Sequence, residues 1–141
     1  MIEVKVDDTG FRSLISQLSE AVKPESILKA IGLRTLKWIN DNFEQEGKLS
    51  VGGWQALKES TLARRRGGQG KILQDTGRLR GSFEVLDYSA SHIVVGSRLV
   101  YAATHNYGRG VVPARVMVPN KVQATELATT MMRAALKRIG R

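Results

Sequence analysis

Ile2, Val4 and Val6 alternate with Glu3, Lys5 and Asp7, the repeat of a strand that buries one face. Its shortness predicts an edge strand. Asp8-Thr9-Gly10 supplies turn and N-cap chemistry before Phe11, Leu14, Ile15, Leu18 and Val22, which share one helical face. Pro24 suits a first helical turn, and Ile27, Leu28, Ile31, Trp38, Ile39 and Phe43 then form a second apolar stripe that stops at Gly47. This second helix, about 22 residues or roughly 33 Å at 1.5 Å per residue, is long for so small a domain. A helix of that length suits spanning the domain or reaching a neighbour.

From Gly47 to Gly81 periodicity fades, and glycine, arginine and polar residues dominate. Ser60 is placed to cap a short helix holding Leu62 and Ala63, which Gly67-Gly68-Gln69-Gly70 interrupts. Otherwise the stretch reads as a long extended basic arm, about residues 47–81, and loops of this length inside a domain usually serve function. Ser82 to Tyr88 and His92 to Ser97 are β-prone runs around a polar turn, a hairpin. Val100 to Tyr107 is ambiguous, whereas Val111-Val112 and Val116-Met117-Val118, flanking Pro113, read as an interrupted strand. Pro119 or Asn120 opens a last helix with Ala124, Leu127, Ala128, Met131, Met132, Ala135, Leu136 and Ile139 on one face. The expectation is an α+β fold over one domain, residues 1–141: a small antiparallel sheet packed with two N-terminal helices, one long, and a C-terminal helix.

Composition agrees with a folded chain: 42% of the 141 residues are hydrophobic and 25% charged. No apolar run approaches the roughly 18 residues a membrane span needs, so no membrane partner is expected. Met1-Ile2-Glu3 lacks the order of a secretory signal, which points to action in the cytoplasm where the chain is made. The chain has no cysteine, which removes disulfides, thiolate metal sites and cysteine nucleophiles.

The net charge of +9 is unevenly spread. Residues 1–57 hold seven basic and eight acidic side chains, residues 58–80 seven against two, and residues 81–141 eight against three. A near-neutral front thus precedes a basic rear, which suits nucleic acid, an anionic membrane or an acidic protein alike.

Chemistry is sparse. His92 falls in the expected hairpin turn and reads as a solvated residue; His105, between Tyr101 and Gly108, reads as a packed histidine bonded to backbone. Neither joins a triad or a metal-ligand spacing, so no catalytic, cofactor or metal residues are assigned. Gly70-Lys71 is followed by Ile72 rather than Ser or Thr, so it is no phosphate loop. Arg64-Arg65-Arg66, with Lys71, Arg78 and Arg80 nearby, is the strongest nucleic-acid signal. Its lack of interleaved aromatics favours a solvated turn, or pairing with a neighbouring subunit's carboxylates, over DNA contact. Asp75 or Thr76 can bond nearby backbone while Gly77 takes a positive φ, leaving Leu73 and Leu79 to pack inward. Trp54 and Leu57 form a second anchor, buried in the subunit or at an interface.

In order and approximate spacing, Gly53-Trp54 with Leu57 and Thr61, Leu73 through Thr76-Gly77 to Leu79 and Ser82, Tyr101-Ala102 with His105 and Gly108, and Pro113-Ala114-Arg115 resemble the phage virion morphogenesis family of Mu-like tail-completion proteins. Asn106 stands where that family tends to carry glutamine, and the segment from Gly108 to Pro113 is short. The resemblance implies a non-enzymatic structural protein of a phage or prophage. Such a protein completes the tail and supports head–tail joining, as a ring-forming and often hexameric oligomer at the virion neck or tail end. The implied partners are further copies of the chain and tail tube, terminator or head-connector proteins. Trp54, Leu57, Arg64, Arg65, Arg66, Thr76, Gly77, Leu79, Tyr101, His105 and Arg115 are the candidate interface residues; the alternative is a nucleic-acid-binding protein using the Arg64 to Arg66 loop.

Overall fold

A computed structural model of the chain describes residues 2–7, 23–65 and 71–139. In chain order its elements are β1 (Ile2–Asp7), α1 (Pro24–Glu44), α2 (Lys48–Val51), α3 (Glu59–Arg64), α4 (Arg78–Gly81), β2 (Phe83–Tyr88), β3 (His92–Ser97), α5 (Ala102–Tyr107) and α6 (Lys121–Ile139). The helix expected over Phe11 to Val22, the Gly67 to Gly70 run and Arg66 lie outside the described residues.

The alternation at the start of the chain produces β1, whose Ile2, Val4 and Val6 are buried. It pairs antiparallel with β3, and β3 with β2, so the sheet runs β1-β3-β2 with β1 at an edge. Val4 lies opposite Val95, and Val85 meets Val95 from the other side. Because cross-strand partners share a face, the apolar side chains of all three strands form one surface. The β2–β3 register shifts between Val85 and Asp87, where the strand bulges.

Helix α1 covers that surface. Leu28, Ile31, Gly32, Thr35, Ile39, Asn42 and Phe43 are its buried positions, and their steps of three or four residues make one stripe. Each fully buried Leu, Ile or Phe contributes about 1.5–3 kcal/mol. The approach is closest at Gly32, where a Cβ would stand 2.2 Å from Cδ1 of Ile93. Buried Thr35 keeps its hydroxyl satisfied by donating to the Ile31 carbonyl oxygen at 2.9 Å. The helix ends at Glu44, three residues before the expected stop, and the chain turns through Glu46 at φ 50° to Gly47. Gly47 sits at φ 86°, and a Cβ there would fall 2.2 Å from the Trp54 ring, so glycine meets both demands.

At the other end of the chain Asn120 caps α6. Its Oδ1 accepts from the Gln123 N–H at 2.8 Å, and Gln123 Oε1 accepts from the Asn120 N–H at 2.9 Å, a reciprocal capping pair. Ala124, Ala128 and Met132 are buried where α6 packs on α1 and β1. No described helix is long and apolar enough to cross a membrane. The fold is thus α+β, with a small antiparallel sheet, one long helix across it and a C-terminal helix.

Four local expectations change. The described part of 47–81 contains, besides the expected short helix α3, which starts at Glu59 with Lys58 rather than Ser60 at its N-cap, the helices α2 and α4, and buries Trp54, Ile72 and Leu79, because those apolar side chains draw it onto the domain. Residues 113–117 form no strand; the only bridge nearby joins Arg109 to Val112, because the segment's backbone groups are taken by side chains, as described below. The ambiguous Val100 to Tyr107 stretch contains α5. His92 begins β3 and is not a solvated turn residue: its Nε2 lies 2.9 Å from Asp87 Oδ2 and its Nδ1 2.9 Å from Ser89 Oγ.

Candidate functional site

The site is built on two chain segments held by side chains rather than by a sheet. Asn42 of α1, wholly buried, donates Nδ2 to the carbonyl oxygens of Val116 at 3.2 Å and Met117 at 3.1 Å, while its Oδ1 accepts from the Ser50 N–H at 3.1 Å. Asn106 of α5 accepts from the Met117 N–H at 2.8 Å. Trp54 packs edge-on against Phe43, 5.3 Å between ring centres, and its Nε1 donates to the Val116 carbonyl oxygen at 2.8 Å. These bonds satisfy backbone that would otherwise need a strand partner.

Arg115 completes the frame. Its residue is only 7% exposed, its backbone N–H donates to the His105 carbonyl oxygen at 2.8 Å, and its Nε donates to the Gln55 carbonyl oxygen at 3.1 Å. The guanidinium of this one residue therefore holds residues 55–56 while its backbone N–H holds α5.

Between these parts lies a cleft of about 520 Å³. Residues 55–58 and α3 supply one wall, the 73–79 turn another, and α5 with Val111, Val112, Pro113 and Arg115 the rest. The turn has the expected chemistry: Thr76 Oγ1 accepts from the Arg78 N–H at 3.3 Å, Gly77 lies at φ 78°, and Leu79 is buried. Leu73 itself adopts φ 62°, an uncommon conformation for a bulky residue.

The cleft is cationic. Lys58, Arg64, Arg65, Arg78 and Arg115 line it against a single acidic residue, Asp75. Lys58, Arg64, Arg78 and Arg115 form no ion pair with a carboxylate among the described residues. Two other cations of the region are engaged within the fold. Lys71 and Arg80 meet Glu44 at 2.6 and 2.9 Å, and hydrogen bonds from Lys71 and then Arg80 hold its carboxyl below the usual range. Arg80 also donates to Asn40 and Gln74, which clips the turn to the end of α1. The Arg65 side chain donates to the Lys71 carbonyl oxygen.

Electrostatic strain follows from this crowding. Burial, then the nearby Arg65 cation, lowers the pKa of Arg115. Burial, then Arg115, lowers that of His105. The His105 ring stands edge-on to Tyr101 at 6.1 Å, and its buried Nδ1 has no hydrogen-bond partner among the described residues. It does not make the expected bond to backbone through that atom, and nothing described orients it as a general base requires. No group of three or more His, Asp or Glu side chains suited to a metal ion occurs among the described residues.

Of the residues singled out in the sequence, Leu57, Arg64, Arg65, Thr76, Gly77, Leu79, Tyr101, His105 and Arg115 all line this one cleft. Trp54 lies outside it, 7% exposed and packed within the subunit. Sequence reading missed the lining residues Gln55, Lys58 and Val112, and the Asn42 hub. A signal for Asn42 existed: a polar residue between Ile39 and Phe43 on the apolar stripe of a helix.

The chain is 28% identical over 111 residues to a protein of Escherichia phage Mu named as capsid assembly protein G, covering 76% of this chain and 70% of the Mu protein. No solved structure matches the chain significantly. The profile of the phage virion morphogenesis family matches residues 6–137, which takes in the end of β1, all of β2 and β3, α1, every wall of the cleft and most of α6, and the chain accordingly belongs to that family.

Proposed function

We propose that this protein is a non-enzymatic structural factor that completes the phage tail and supports head–tail joining, acting as a ring-forming oligomer at the neck or tail end. Membership of a virion morphogenesis family gives the assembly role. The observation that carries the finer reading is the convergence of Leu57, the Thr76-Gly77 turn, Tyr101, His105 and Arg115, far apart in sequence, on one concave surface. A concave, charged surface without an oriented base suits holding a neighbour rather than transforming a substrate. Ring closure requires two different patches on each subunit, and the cleft supplies one of them.

Negative-stain microscopy and light scattering test the reading. Rings are expected, alone or on addition of tail tubes; a protein that stays monomeric and never associates with tails refutes it. Lys58, Arg64, Arg78 and Arg115, which form no ion pair among the described residues, support a second reading, nucleic-acid binding through the Arg64 to Arg66 loop. It requires retention of duplex DNA at moderate salt, lost when the three arginines are replaced by alanine.

A further inference from the structure

We propose that the cleft beside Arg115 receives a carboxylate-bearing segment of another protein, with Arg64, Arg78 and Arg115 meeting the acidic side chains and Leu57, Leu79 and Val112 their apolar neighbours. This deepens the assembly reading and rests on it for the existence of a partner.

Charge complementarity is the first argument. Lys58, Arg64, Arg78 and Arg115 share the cleft with one acidic residue and form no ion pair among the described residues. Like charges held together raise the energy of the empty site, and an entering anion relieves that repulsion. Arg115 is pre-positioned for the task, because the Gln55 and His105 carbonyl oxygens hold its side chain and its backbone from opposite sides. A guanidinium fixed in advance loses little freedom on binding a carboxylate.

Shape and lining then favour a protein over a nucleic acid. Phosphate tracking needs cations spread along an open surface with stacking platforms. Here the cations are gathered into a cleft of about 520 Å³ with leucine, valine and proline among them. At its rim Val111 is 90% exposed. An apolar side chain left in water beside buried leucines is suited to cover by a peptide rather than by a sugar–phosphate chain.

The test titrates the isotope-labelled full chain with the blocked peptide Leu-Glu-Leu-Asp-Leu, its amide counterpart Leu-Gln-Leu-Asn-Leu, and a short oligothymidylate, following amide chemical shifts. The acidic peptide is expected to shift Leu57, Tyr101 and His105, and the amide peptide to bind at least about tenfold more weakly, the effect of losing a charge-assisted hydrogen bond. Arg64→Glu and Arg78→Glu are expected to abolish binding without altering the remaining spectrum. Their guanidinium groups form no ion pair and no tertiary hydrogen bond among the described residues, Arg64 bonding only Ser60 of its own helix. Equal binding of the two peptides, or none, overturns the proposal. So does preferential shifting of the same amides by the oligonucleotide, which assigns the cleft to nucleic acid, or by rising protein concentration alone, which assigns it to a second copy. Tail association is scored separately. Peptide binding without it sinks the assembly reading alone, whereas tails completed normally by the Arg78→Glu protein sink the docking site alone.

Discussion

Asn42 donates Nδ2 to the carbonyl oxygen of Met117 at 3.1 Å, joining positions 75 residues apart. The same amide holds Ser50 and Val116, so the end of the long helix, the α2 turn and the segment that follows Arg115 meet at one buried side chain. Asn42→Leu strands several buried backbone groups at once. It is expected to cost about 2–4 kcal/mol, the range for unsatisfied groups in a buried network. Urea denaturation would read the loss, and an unchanged midpoint would show that the hub is not structural.

Gly47 and Trp54 are mutually dependent. Gly47→Ala places a side chain at a positive φ and into the indole, and a loss of about 1–3 kcal/mol is expected from backbone strain alone. Trp54→Phe keeps the packing on Phe43 but removes the donor to Val116, for a loss of about 1–3 kcal/mol. Thermal melts of the two variants would reveal this; equal stability to the parent chain would refute the tight contact.

Two neighbouring arginines are expected to behave oppositely. Arg80 binds Glu44, Asn40 and Gln74, so Arg80→Ala is expected to destabilise the fold by about 1 kcal/mol. Arg78 faces the cleft without an ion-pair partner among the described residues, so Arg78→Ala is expected to stay within about 0.5 kcal/mol of the parent chain. Denaturation midpoints compared side by side decide the matter. A larger effect at Arg78 would place it in the fold rather than in the site.

The pH dependence has a definite sign. The folded pKa of His105 is depressed by burial and then by Arg115, while in the unfolded chain it titrates near its ordinary value of about 6.5. Above that value both states are neutral and the residue contributes no slope. As pH falls through it the unfolded chain takes up the proton first, so stability falls. Glu44 and Asp87 add loss in the same direction at lower pH, because their folded pKa values are also lowered, chiefly by hydrogen bonds from Lys71 and from His92 respectively. Stability measured in urea at successive pH values is expected to be flat above neutrality and to decline below about 6.5. His105→Gln is expected to remove the upper part of that decline; an unchanged profile would exclude His105 as its source.

Periodicity alone carried β1, the long helix, the hairpin and the last helix. Each depends on short-range repetition of apolar side chains and on local caps and turns. The order and spacing of turn and aromatic residues also carried the family, through residues whose types reflect tight backbone geometry. The path of residues 113–118 was not legible in this way. Two valine-rich runs look like a strand until Asn42, Trp54 and Asn106 occupy their backbone groups from three distant elements. Nor did spacing show that Leu57, Thr76, Tyr101, His105 and Arg115 face one cleft, or that Lys71 and Arg80 pair with Glu44 while Arg64 and Arg78 do not. Local pattern reports which face of an element is apolar. Which faces meet, and which charges are left without a partner, is decided only when distant segments pack together.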